Sequence, residues 1–358
     1  MKQRIIGIDV ARALAVIGMI IVNFKVVFGA EGRDWVRTLA SIFEGKAAAT
    51  FVVLAGVGIA LMTNSAIKNK DQIKLNSARI RIAKRAVFLF VLGISYIVIW
   101  PADILHFYGV YMAITMLLLT RHSKTIIISA IFLIVAYPLL MISWNYGSGW
   151  DFESLDYHGF WTFKGFMTNL FFNGFHPVFP WTAFMLFGYW FGKQDLHKYT
   201  FLRNTFWIST ASFVAIQVLS YVLISFLSDG HQESDAELSE ILGTNPMPPL
   251  PMYMCSGVAI ALAIISGCIL VARKYEHNII IDALNKTGQL AFTFYVAHVI
   301  IGMGVVELIN PSKIGNYSIE FSLIYSAIFS VSCILFAVFW RKHKKQGPLE
   351  WVMRIVTS

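Results

Sequence analysis

Runs of apolar residues recur along the chain, separated by short polar stretches. Windows of seventeen or more such residues suit a membrane-crossing helix, which needs about 20 residues to span a hydrocarbon core of about 30 Å. Ten segments are predicted, at 9–29, 46–65, 86–102, 104–120, 125–143, 176–192, 204–227, 251–272, 288–309 and 319–340. The stretch 160–175 is aromatic and apolar enough to re-enter the membrane or to form an eleventh span. The fold class that follows is all-α, a polytopic membrane helix bundle of about ten transmembrane helices over residues 1–340. A basic, amphipathic tail at 341–358 completes the chain, with a surface helix predicted from Pro348 that turns Trp351, Val352 and Ile355 toward the membrane.

Composition agrees. Of 358 residues, 57% are hydrophobic and 14% charged, and the mean hydropathy is +0.65. A soluble domain runs nearer half apolar and a quarter charged. The net charge of +9 therefore reads as the inner-side excess of Lys and Arg rather than as a nucleic-acid surface. With ten spans and an inner N-terminus, 22 of the 29 lysines and arginines fall on one side, which places both termini in the cytoplasm of a cell (inner) membrane protein. Lys2 and Arg4 precede an apolar run as in a signal peptide, but Asp9 and Arg12 interrupt it and no small-x-small site follows, so an uncleaved first helix is expected. Cys255, Cys268 and Cys333 lie in or beside apolar segments without metal or redox spacing, and no metal site is expected.

Polar residues at membrane depth carry the chemistry, because each is disfavoured by roughly 2.5–3.5 kcal/mol unless it pairs or lines a cavity. Asp9 and Arg12 are three apart and share a helix face, as a structural ion pair would. On the ten-span topology several groups gather at the outer face: Asn23, Glu44, Lys46, then Asp103, His106 and Tyr108 in PADILHFYG, and His176 in FFNGFHPVFPW. His176 is the general-base candidate, because an imidazole titrates near pH 6.5. Asp103 or Glu44 would orient it, and Asn23 or Lys46 would hold an oxyanion. The alternative is a set of side chains satisfied at the lipid–water interface. His298 falls mid-helix, so it should face the interior and have a polar partner, either as a core histidine or on a proton or substrate path. Trp144, Trp150, Tyr157 and Trp161 in the loop 144–175 suit an aromatic layer at headgroup level, and the acidic then proline-rich stretch 228–250 reads as a solvated loop.

The segment 66–85 is the most basic in the chain. It serves either as a topological anchor or, through Arg79, Arg81, Lys84 and Arg85, as a rim for the phosphates of an anionic donor such as a coenzyme A ester.

The opening R-x-x-x-x-D-x-x-R with Val22-Asn23, then Phe43-Glu44-Gly45-Lys46, the run Asp103 to Gly109, and the ending Gln346-Gly347-Pro348-Leu349-Glu350-Trp351-x-x-Arg354 together resemble the YeiB-like family of membrane proteins. That family stands beside heparan-α-glucosaminide N-acetyltransferase in a wider group of transmembrane acyltransferases. The resemblance implies transfer of an acyl group from cytosolic acetyl-CoA or another acyl-CoA to a small-molecule or glycan acceptor at the outer face. It also implies an active-site role for Asn23. The enzyme's catalytic histidine follows its first helix, whereas this chain has no histidine between Asn23 and Asp103. Either His176 substitutes from another helix or the chemistry differs. Two further readings stand beside the acyltransferase: a transporter or channel for a small polar solute or lipid, and a non-catalytic envelope membrane protein. Membrane lipid is an expected partner and nucleic acid is not. The oligomeric state is left open, a dimer included.

Overall fold

A computed structural model describes residues 4–152 and 154–357. In chain order the helices are α1 (Ile6–Phe28), α2 (Asp34–Ser41), α3 (Lys46–Lys68), α4 (Gln72–Tyr96), α5 (Leu105–Leu117), α6 (Ser123–Ser143), α7 (Phe163–Thr168), α8 (Val178–Gly192), α9 (Tyr199–Leu227), α10 (Gln232–Leu242), α11 (Pro251–Lys274), α12 (Ile279–Gly288), α13 (Ala291–Ala297), α14 (Gly304–Ile309), α15 (Ile319–His343) and α16 (Pro348–Thr357). One π turn, Asn169–Asn173, continues α7, and another, His298–Met303, joins α13 to α14. A two-residue hairpin pairs β1 (Trp150–Asp151) with β2 (Asp156–Tyr157).

The protein is an all-α, multi-pass membrane protein. Among the described residues, 7 helical stretches are long and apolar enough to cross a bilayer: α1, α2–α3, α6, α9, α11, α13–α14 and α15. The other three predicted segments fall short of that measure, each for a local reason. α4 begins in the basic segment and ends at Tyr96, so its apolar half is brief. α5 has 13 residues and α8 has 15, only about 20 and 22 Å of helix. The stretch 160–175 is a six-residue helix running into a π turn.

The chain folds as two compact units. Unit one holds the chain up to Phe51 with Lys198–Trp207 and Ala261–Ile355. Its centre is α1, packed by α12, α15 and α13. Small residues allow these contacts, since lipid offers helices no hydrophobic drive to associate and close packing must do the work. A Cβ on Gly7 would overlap the backbone of Ile269, and one on Gly288 would overlap the carbonyl of Asp9. At its far end α1 is stitched to the start of α15. Gly315 and Tyr317 N–H donate to the carbonyls of Val27 and Phe28 at 3.0 and 2.8 Å, and Ile319 N–H donates to Glu31 at 2.7 Å. Gly29 turns the chain there at φ +136°, a conformation that favours glycine.

Unit two holds Val52–His197, Ile208–Ile260 and the end of the chain from Val356. Here α4 pairs with α5, and α8 packs on α6 and α5. The α3–α8 contact again rests on glycine: a Cβ on Gly56 would strike the Met185 carbonyl, and one on Gly188 the Val53 carbonyl. Asn64 Nδ2 then donates to the Gly192 carbonyl at 2.8 Å.

Two loop expectations change. Trp144 and Trp161 are exposed, as an interfacial layer requires. Trp150 and Tyr157 instead turn onto Asn173, because the π turn presents that amide to them. Trp150 Nε1 donates to its carbonyl at 2.6 Å and Tyr157 Oη to its Oδ1 at 3.0 Å, while its Nδ2 donates to the carbonyls of Tyr146 and Ser148. The stretch 228–250 contains a helix, α10, where a loop was expected. Glu233 and Asp235 sit in its first turn, where carboxylates favour the helix dipole. Ser220 Oγ holds its last carbonyl, Leu242, at 2.6 Å.

A Gly188→Val variant should unfold at lower temperature in detergent, by about 1–3 kcal/mol of stability or more. Gly147→Ala, whose new Cβ meets nothing closer than 3.4 Å, should leave the melting curve in place.

Candidate functional site

In unit one the polar residues of α1 divide into a clamp and a pair. Asp9, 2% exposed, is held from both sides: Arg4 Nε lies 2.6 Å from Oδ2 and Arg12 Nη1 2.7 Å from Oδ1. The Asp9–Arg12 contact has the three-residue spacing read from the sequence, and Arg4 is the second cation. With both carboxylate oxygens taken, this group is structural.

Eleven residues beyond Arg12 along α1, Asn23 meets His298. The imidazole is buried at the first position of the π turn. Its Nδ1 lies against the Tyr295 carbonyl, which only accepts, so Nδ1 carries the proton. In the neutral ring Nε2 is then the acceptor, and Asn23 Nδ2 donates to it at 2.8 Å. Phe24 and Tyr295 flank the ring at centroid distances of 6.2 and 5.4 Å. Tyr325 Oη donates at 2.9 Å to the Gly302 carbonyl within the π turn. π turns gather at functional positions because they shift side chains off the regular helical register. Hydropathy demanded a partner for His298 but did not name it. The usable signal was that Asn23 is a side-chain amide deep in an apolar helix.

Also in unit one, Glu44 pairs with Lys25, a residue outside the predicted set. Lys46 opens α3, half-buried, its carbonyl accepting from Thr50 Oγ1 at 2.7 Å. Unit one therefore holds Asn23, Glu44 and Lys46 of the predicted set, together with His298.

Unit two holds the remainder. Asp103 and His106 are fully buried, with Oδ2 and Nδ1 3.5 Å apart, and Asp103 Oδ2 accepts from Leu105 N–H at 2.8 Å. The histidine beside this carboxylate is His106 rather than His176. His176 stands edge-on to Trp181 at 4.6 Å and 6.1 Å from Phe107, and its carbonyl accepts from Tyr111 Oη. Neither ring nitrogen of His106, nor His176 Nδ1, nor Trp181 Nε1 finds a hydrogen-bond partner among the described residues. On α4, Arg79 and Arg81 bond locally to Asn76 and Ser77, and Lys84 lines an apolar groove.

A residue of the C-terminal motif has an unpredicted role in unit one. Glu350 Oε1 accepts from Phe292 and Thr293 N–H at 2.8 and 3.1 Å, and Oε2 from Thr293 Oγ1 at 2.5 Å. These are the orphan donors of the first turn of α13, whose own N-cap residue, Leu290, supplies no side-chain acceptor. Gly347 allows the approach, since a Cβ there would meet Glu350 and Leu290. Burial raises the Glu350 carboxyl above its ordinary value, against the Thr293 and Phe292 donors that lower it.

A many-helix membrane bundle with a histidine–asparagine pair inside one unit defines a class of integral membrane protein with buried polar chemistry. The family profile for heparan-alpha-glucosaminide N-acetyltransferase, catalytic, matches residues 4–226, more than half of the chain. The chain belongs to that family, whose members resemble transmembrane acetyltransferases. The profile for the YeiB-like family of unknown function, DUF418, matches residues 188–358. A search of curated proteins returns no match.

Glu350→Ala should cost about 0.5–2 kcal/mol, the usual loss when a helix N-terminus loses its acceptor, whereas Glu350→Gln keeps an acceptor and should cost less. The folded state binds the Glu350 proton more tightly than the unfolded chain. Its contribution to stability is therefore full below the ordinary carboxyl range and falls as pH rises through the raised pKa. Melting curves across pH should show this slope in the wild type and lose it in Glu350→Gln.

Proposed function

We propose that the protein is an integral-membrane acyltransferase, moving an acetyl or other acyl group from acyl-CoA to a hydroxyl or amine acceptor. The observation that carries the reading, beside family membership, is the Asn23–His298 pair: a neutral imidazole fixed by a backbone carbonyl, with its basic nitrogen on a replaceable amide donor. An acceptor O–H or N–H that displaces the Asn23 amide gives its proton to His298 Nε2 as its heteroatom attacks the thioester carbonyl. The Asn23 N–H then stabilises the oxyanion of the tetrahedral intermediate. Collapse breaks the C–S bond, and the imidazolium returns the proton to the departing thiolate. The acylated acceptor and free coenzyme A are the products.

Donor phosphates fall to Arg79, Arg81, Lys84 and Arg85, with Lys46 and Glu44 as further polar groups of unit one. This reading puts the protein in the cell (inner) membrane with both termini cytoplasmic, and the acceptor, a small molecule or glycan, at the outer face. A second assignment keeps the base in unit two, at His176 or at His106 beside Asp103, and the ring nitrogens there that make no hydrogen bond among the described residues favour it.

Acetyl-CoA should raise the melting temperature of the purified protein, and charge-neutral replacements at Arg79, Arg81, Lys84 and Arg85 should abolish the shift. In an acyl-transfer assay followed by mass spectrometry, His298→Ala should lose about 10²–10⁴-fold in rate while His176→Ala keeps activity. The opposite pattern moves the base to unit two. Solute flux in proteoliposomes with no acyl product replaces the acyltransferase with a transporter.

A further inference from the structure

One face of α4 forms the wall of an apolar groove of about 620 Å³ in unit two. Lys84, Val87, Phe88, Val91, Leu92 and Ser95 line it at helical spacing, and Val356 closes one side. Val87 and Val91 are 63% and 61% exposed, so the groove opens along its length. From Lys84 to Ser95 is eleven residues, about 16 Å of helix, close to half of a ~30 Å hydrocarbon core. The groove is thus as deep as one leaflet.

Its charge is one-sided. Lys84 stands at one end, and Arg81 lies on the same face a turn earlier, exposed to solvent. An apolar channel of leaflet depth with cations at its headgroup end matches a molecule with one anionic group and a long aliphatic chain.

We infer that this groove is a binding site for an anionic phospholipid of the leaflet that borders the basic segment, with one acyl chain along Val87, Val91 and Leu92 and the phosphate on Lys84 and Arg81. The site does not need the acyltransferase reading, but it shares Arg81 and Lys84 with the donor site proposed there, so the two ligands compete.

The test uses the full chain in nanodiscs of phosphatidylcholine doped with phosphatidylglycerol carrying a photoactivatable acyl chain. Label should appear in the peptide containing residues 87–92. Phosphatidylglycerol should be retained over phosphatidylcholine by about fivefold for each cation engaged. Lys84→Gln should lower that preference by about fivefold. Val91→Trp, which fills an open groove rather than a packed core, should remove the label while the protein still runs as a single species and melts as before. Equal retention of the two lipids, label elsewhere, or undiminished label in Val91→Trp overturns the inference. So does displacement of the label by palmitoyl-CoA together with indifference to phosphatidylglycerol. Acetyl-CoA stabilisation measured on Val91→Trp separates the two ideas: lost label with the acetyl-CoA shift retained supports the lipid site, and lost label without any acetyl-CoA shift, in variant and wild type alike, leaves it standing while the donor reading fails.

Discussion

A carboxylate inside an apolar helix has to be neutralised, and Asp9 shows how this protein does it. Two guanidinium groups close on its two oxygens, and Gly288, the last residue of α12, lets that helix pack against the Asp9 backbone carbonyl. Around that neutralised helix the rest of unit one packs. Helix α1 is fixed against α12 and α15, its far end is laced to the start of α15, and Asn23 is carried to a definite depth opposite the π turn. Only the carboxylate is buried, since the Arg4 and Arg12 side chains keep 59% and 30% of their surface exposed. The clamp neutralises α1 locally, packing on α12 and α15 sets the helix position, and the Asn23–His298 contact inherits it.

Unit two uses backbone proximity in place of charge. Gly56 and Gly188 let α3 and α8 come close enough for backbone atoms to pack, and the Asn64 amide adds a hydrogen bond at the end of that contact. The long segment after α6 is organised by a single amide, Asn173, which uses its carbonyl, its Oδ1 and its Nδ2 on four neighbours. In a medium without water such complete use of polar capacity is what allows irregular chain at all.

Local pattern carried part of this. Apolar windows located the seven long helices, and three-residue spacing gave the Asp9–Arg12 contact, because both are properties of neighbours in sequence. The short helices α5 and α8 were read as full spans, since an apolar window continues through the turns that end them. Arg4 escaped because it lies before the apolar run that drew attention. Trp150 and Tyr157 have interfacial composition, and nothing in that composition shows that a π turn offers them Asn173. The Asn23–His298 pair joins residues 275 positions apart, and Glu350 reaches Thr293 across 57. Hydropathy states that such groups need partners, but the identity of each partner is a property of the packed bundle.

How fully a buried polar group is satisfied separates structure from chemistry here. Asp9 spends both oxygens on arginines, and Glu350 caps a helix with both of its own, so each would have to be unmade before it met a substrate. His298 differs. Its Nδ1 is tied to backbone, while Nε2 rests on one neutral side-chain donor, a bond worth about 0.5–1.5 kcal/mol that an incoming hydroxyl replaces in kind. His106 lies at the other extreme: Nδ1 stands 3.5 Å from Asp103 Oδ2, and neither ring nitrogen makes a hydrogen bond among the described residues, where a buried unsatisfied group costs about 1–3 kcal/mol. A group that is fully satisfied resists change, and one that is wholly unsatisfied demands an occupant before it is stable. The pair at Asn23 and His298 lies between them, stable as it stands and open to exchange, which is the condition a general base needs between turnovers.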